Sequence, residues 1–185
     1  MDFNRKKLVQ VFEAAKTCGP YDELPVLVDG RDPQVHVSRN DRPQPFWLIC
    51  SADTVLAQVT GTATVDLEHS PVRYHRMEPG DLVYLPAGTA SRIRPDATSI
   101  HVRYKALHPG LEAAAWFCSA CGNEVHREEF DTEEELPQDA YWRACNAFNA
   151  DVDLRRCGGC GVVQNPVDLT GIRWPEVAEA IRASA

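Results

Sequence analysis

Two matched cysteine pairs, Cys118-Ser119-Ala120-Cys121 and Cys157-Gly158-Gly159-Cys160, constrain this chain more than any other feature. Each pair separates its cysteines by two residues, and a glycine follows each (Gly122, Gly161). Two such knuckles set four thiolates at the corners of a tetrahedron, which suits zinc or a single iron. The glycines permit a turn tight enough for backbone N–H groups to face the sulfurs. Two disulfides, or four ordinary buried cysteines, are the alternatives, and the paired spacing favours the metal. Four protein ligands leave no position for a substrate, so this site is expected to hold the C-terminal part together and not to react.

The rest of the composition narrows the class. At 185 residues the chain is one domain, or one domain with a small appendage. Its net charge of −8 argues against a nucleic-acid surface. Arg5-Lys6-Lys7 reads as the solvated side of a helix. The opening Met1-Asp2-Phe3-Asn4 is polar with no apolar run behind it, so no secretory leader is expected. No stretch reaches the ~18 apolar residues of a membrane helix. Four of seven cysteines assigned to a metal fit a reducing cytoplasm, with Cys18, Cys50 and Cys145 as free thiols.

Periodicity divides the chain into four parts. Residues 1–24 hold a predicted amphipathic helix (3–17) with Phe3, Leu8, Val9, Val11, Phe12 and Ala15 on one face, stopped at Cys18-Gly19-Pro20. Residues 25–105 change to short β-rich runs at 25–28, 34–38, 46–50, 55–59, 63–67, 74–77, 82–85 and 99–104, with turn residues between them. Eight such strands predict a barrel or double-sheet jelly roll. Residues 106–165 carry the knuckles, a short helix at 139–148 and an acidic solvated loop at 131–135. Residues 166–185 end in a helix at 174–183, with Pro175 in its first turn and Val177, Ala180 and Ile181 as its apolar stripe.

Gly80-Asp81-Leu82-Val83-Tyr84-Leu85-Pro86-Ala87-Gly88 fits the second cupin motif, Gly-x5-Pro-x-Gly: a tight turn into a strand and a Pro-x-Gly turn out of it. A plain hairpin between buried strands has the same pattern. To about residue 165 the chain resembles the bacterial 3-hydroxyanthranilate 3,4-dioxygenase family. The resemblance rests on Gln58-Val59-Thr60-Gly61, residues 80–86, Trp116-Phe117-Cys118-Ser119-Ala120-Cys121-Gly122, Val125-His126-Arg127 and Arg155-Arg156-Cys157. It implies an all-β-dominated fold, a cupin jelly-roll barrel with an N-terminal helix and a zinc or rubredoxin-like knuckle extension. It also implies a homodimer and ring-opening chemistry with O2 at a mononuclear iron held by two histidines and a glutamate.

The implied iron ligands are absent. The glutamate position falls at Thr54, the first histidine at or near Leu48 and the second at Ser91. No His or Glu lies between Asp41 and Gly61 to replace the first two. Asp53 adjoins the glutamate position, but strand alternation turns it to the opposite face. Arg42 and Arg94 match the arginines that bind substrate carboxylate in the family, with Arg92 competing for the second role. Arg103 stands where the family has a glutamate that contacts the substrate's ring substituents, which makes the expected pocket more cationic. Each arginine has a plainer reading as a surface ion-pair residue.

A relocated metal site at His36, Cys50 and His101 has no ligand spacing to support it. Cys50 as a nucleophile competes with a buried inert thiol. His69 and His75 read as barrel-edge residues, His108 as a loop residue and His126 as support for the first knuckle.

Three functions follow. The leading expectation is a diverged cupin without barrel metal that binds and transforms a small aromatic or amino-acid-derived carboxylate. Arg42, Arg94 and Arg103 would orient the anion, and His101 with Arg103 would carry acid–base chemistry. The second is ring-opening dioxygenation with relocated ligands. The third is a non-catalytic binding or scaffold protein, marked by a barrel interior filled with side chains such as Phe46, Trp47 and Leu48.

Overall fold

A computed structural model describes residues 8–28 and 30–184. The N-terminal helix is shorter than predicted, α1 (Val11–Ala15), and the predicted first turn with Phe3 lies outside the described residues. Ala15 is buried, while Leu8 and Phe12 are exposed. A helix under two turns long presents too little of a stripe to bury every apolar residue placed on it.

The strands are β1 (Leu24–Pro25), β2 (Gln34–Asn40), β3 (Trp47–Cys50), β4 (Thr54–Thr60), β5 (Ala63–Leu67), β6 (Tyr74–Met77), β7 (Leu82–Leu85), β8 (Ser91–Pro95), β9 (Ser99–Lys105), β10 (Leu111–Phe117) and β11 (Glu124–Asp131); α2 (Pro137–Ala150) and α3 (Trp174–Ser184) follow. They form two antiparallel sheets in the orders β1-β2-β9-β4-β7 and β11-β10-β3-β8-β5-β6. The expected double-sheet barrel is present, and eight strands stand at or near the predicted positions.

Three strands were not predicted. β8 reads Ser-Arg-Ile-Arg-Pro, with Ile93 as its one large apolar residue, so alternation is invisible in its composition. β10 and β11 lie in the segment expected to be only a knuckle extension. β10 pairs with β3 over Glu112↔Cys50 to Ala115↔Trp47, so the barrel sheet continues past residue 105. α2 also outruns its prediction, beginning with Pro137 in its first turn, where the missing N–H costs nothing.

Register decides which residues face the interior. Val37, Val102 and Ala57 form one cross-strand row on the outer face of the five-stranded sheet, in a cluster with Ala15, Val177 and Ile181 of the helices. One residue along, each strand presents its other face: His36–Arg103–Leu56 and Ser38–His101–Gln58 are rows pointing inward. The main core joins Leu48, Leu56, Val65, Met77, Leu85 and Ile93 of the barrel to Tyr141, Phe148 and Trp174 of the C-terminal helices. Phe46 fills its centre, 4.7 Å from the Tyr141 ring and 5.9 Å from Trp174. Trp47 lies instead with Ile49 and Ala113 in a separate cluster, under the Arg92 guanidinium at 4.9 Å.

Candidate functional site

The four cysteine sulfurs lie within 4.8 Å of one another, placed to hold one metal ion. Both knuckles are built alike. Gly122 N–H donates to the Cys118 carbonyl at 2.9 Å and Gly161 N–H to the Cys157 carbonyl at 2.8 Å, with φ of +76° and +77°. The sulfurs pair across the knuckles at 3.5 Å, Cys118 with Cys160 and Cys121 with Cys157. Backbone N–H groups of Ala120 and Cys121 point at the Cys118 sulfur and lower its thiol to about 6, against the opposing effect of burial. Gln164 clamps the pair: its Nε2 donates to the Cys118 sulfur at 3.4 Å and its Oε1 accepts from Ser119 N–H at 3.2 Å. The His126 ring stacks on Trp116 at 5.8 Å, two residues before the first knuckle, and on Phe148.

The barrel interior holds the second set of functional candidates. The predicted site arginines do not converge there. Arg94 is exposed and grips Asp66 through two bonds, one of 2.7 Å. Arg42 pairs with Asp41 at 2.7 Å and donates to the Thr170 carbonyl at the surface. Both take the plainer surface reading. Asp53 is turned outward, accepting from Tyr84 OH at 2.6 Å and Ala87 N–H at 2.8 Å, so it pins the Pro-x-Gly turn. Arg103 and His101 do face inward, 3% and 2% exposed.

Arg103 is already neutralised. Its Nε donates to Glu23 at 3.0 Å. Lys105 bridges Glu23 at 3.2 Å and Glu112 at 2.9 Å, and Tyr141 OH is shared by the same two carboxylates at 3.1 and 3.4 Å. Burial alone would raise the Glu23 carboxyl, but Lys105 and Arg103 outweigh it and hold the group well below the usual carboxylate range. Residues 21–23, expected to be a plain connector, form a plug that delivers Glu23 into the barrel. Tyr21 N–H donates to Asn40 Oδ1 at 2.7 Å, Glu23 N–H to Ser38 Oγ at 2.9 Å, and Gln138 Nε2 to the Asp22 and Glu23 carbonyls at 3.0 and 3.1 Å. No sequence signal marked this plug, because a single Glu in a polar connector has no period.

His101 is fixed as a neutral donor. Asn40 Oδ1 is taken by Tyr21, so Asn40 Nδ2 donates to His101 Nδ1 at 2.9 Å and the ring proton sits on Nε2. Burial, then the Arg103 charge, lower its pKa to about 4. Burial likewise pushes the Cys50 thiol far up, so it is an inert core thiol and not a nucleophile. His36, Cys50 and His101 do not assemble: among the described residues, the four cysteines are the cluster of three or more potential ligands close enough to hold an ion. The cavity left beside Tyr21, Glu23, His101 and Arg103 measures about 10 Å³.

Comparison with known proteins matches the sequence of this chain to one family. A 3-hydroxyanthranilate 3,4-dioxygenase of Jannaschia sp. (strain CCS1) is 30% identical over 148 residues, 76% of this chain and 74% of that protein. The chain belongs to the 3-hydroxyanthranilate 3,4-dioxygenase family. The Brucella anthropi protein of the same name is 30% identical over 147 residues, 76% of this chain and 75% of that protein. A solved hydroquinone 1,2-dioxygenase, PnpCD with Cd2+ and 4-hydroxybenzonitrile, covers 56% of this chain and 82% of its own at 17% identity and TM-score 0.46. No protein-family model matches.

Iron of the kind the family implies does not fit the residues at its expected positions. Leu48, Thr54 and Ser91 are 1%, 4% and 3% exposed. Leu48 and Ser91 face each other across β3 and β8, and Thr54 stands opposite Leu85. An alkyl group and two neutral hydroxyls supply neither the imidazoles nor the carboxylate that a mononuclear iron site needs.

Proposed function

We propose that this chain is a family member that has given up ring opening and serves as a non-catalytic binding or scaffold protein. The observation carrying this reading is the filled barrel. Phe46 and Leu48 are buried in the main core, the Glu23–Arg103–Lys105–Glu112 network spans the interior, and the cavity beside Glu23, His101 and Arg103 measures about 10 Å³, room for one water and not for an aromatic carboxylate. Metal-independent acid–base turnover is the weaker reading, since Arg42 and Arg94 are held at the surface and His101 is a neutral buried donor. The four-cysteine centre holds zinc or iron in a structural role.

Oxygen consumption tests the reading. Purified protein given Fe(II) and 3-hydroxyanthranilate, with a panel of 2-aminophenols beside it, is expected to take up no O2. Elemental analysis should find one metal per chain, lost when Cys118 and Cys121 are both replaced by Ser. Uptake above the protein-free rate overturns the proposal.

A further inference from the structure

The interior network is built like a receptor for a carboxylate. Three donors from two elements surround the Glu23 carboxylate: Arg103 Nε at 3.0 Å, Lys105 Nζ at 3.2 Å and Tyr141 OH at 3.1 Å. Two further donors have no protein acceptor, Arg103 Nη1 and the protonated His101 Nε2, and both residues line the small cavity beside Glu23. The donor set therefore exceeds what Glu23 accepts. Its charge is also suited to an anion. Arg103 and Lys105 against Glu112 leave one net positive charge, which Glu23 cancels.

Glu23 is an unusual occupant. It belongs to no strand or helix, and it enters the barrel with φ of +43°, two residues after Tyr21 at +53°. Left-handed backbone is strained for a non-glycine residue, so the plug stays in place because its side-chain contacts outweigh that strain.

We propose that Arg103, Lys105 and Tyr141 form a binding site for a small carboxylate monoanion, which the chain's own Glu23 fills in this conformation and which an external carboxylate takes when Glu23 withdraws. The site differs from the surface arginines that the family resemblance had pointed to. The proposal rests on the reading of a barrel closed to the family substrate. Oxygen uptake tests that reading, whereas ligand binding without turnover tests this one.

The test uses Glu23→Ala, with wild type and Glu23→Gln as controls, and formate and acetate as probes. Glu23→Ala should melt below wild type and recover saturably with formate or acetate, while equimolar chloride or acetamide does nothing. Its affinity for formate should exceed that of wild type at least tenfold, because wild type binds only in its Glu23-out fraction. Glu23→Gln, which fills the space with a neutral amide, should not respond. If Glu23→Ala does not fold unaided, its refolding yield in formate against chloride gives the same answer. Equal responses of Glu23→Ala and wild type, or no carboxylate-specific response, overturn the proposal. A crystal of Glu23→Ala grown in formate should hold the anion on Arg103, Lys105 and Tyr141, and its seating elsewhere also counts against the site.

Discussion

Gly122 and Gly161 occupy the same left-handed position in the two knuckles, and nothing stands within 4 Å of where a Cβ would sit. A substitution there meets conformational strain and not a clash. Gly161→Ala is expected to destabilise the protein by about 1–2 kcal/mol, visible as a lower melting temperature and faster metal loss to a chelator. At Gly159 a Cβ would meet the far end of the Asn123 side chain from the other knuckle, which would have to turn aside. His101 sets a pH dependence. Its folded pKa of about 4 lies below the ordinary imidazole value of 6.5, so between those values the unfolded chain binds the extra proton. Its contribution to stability is complete above pH 6.5 and declines as the pH falls toward 4. Urea midpoints measured from pH 7 to pH 4 should drop, and the drop should shrink in His101→Gln.

Among the elements, β9 carries the most consequence. Alternation along Ser99–Lys105 sends Val102 outward to the helices and Arg103 and Lys105 inward. Such a strand would be unstable alone, with two cations directed at a core. It is held by carboxylates from the 21–23 plug and from β10, together with the Tyr141 hydroxyl of α2. Removing one partner leaves a buried charge behind, so Lys105→Met should cost about 3–5 kcal/mol by chemical denaturation. Lys105→Met combined with Glu112→Leu should recover much of that loss, because the second change removes the orphaned charge. Strands with clear alternation, such as β4 and β5, were legible from sequence. β8 was not, since its arginines and Ser91 break the apolar pattern, and β10 was not, since its alanine run carries no strand preference of its own.

For the molecule as a whole, the barrel and the knuckles make separate contributions. α2 lies between the two knuckles in sequence, yet Tyr141, Ala144 and Phe148 pack into the barrel core. Stripping the metal should therefore abolish hydrogen-exchange protection at 118–122 and 157–161 while α2 keeps most of its own. Restoring the family ligands with Leu48→His, Thr54→Glu and Ser91→His should lower stability without creating O2 uptake, because Glu23, Phe46 and Tyr141 still fill the interior. Oxygen consumption by that triple variant would show that the ligands alone were missing.

The chain alone determined the four-cysteine cluster, the jelly-roll character and the residues Leu48, Thr54 and Ser91 at the positions that the resemblance assigns to iron. These are written in spacing, short-range alternation and residue chemistry, which survive without knowing what each strand touches. Only the tertiary structure decided that Arg42 and Arg94 are surface residues, that β10 completes a barrel sheet, and that Glu23 closes the interior. Those facts depend on pairing between segments far apart in the chain, such as Glu23 with Arg103 and Tyr141, and no local pattern encodes a contact of that range.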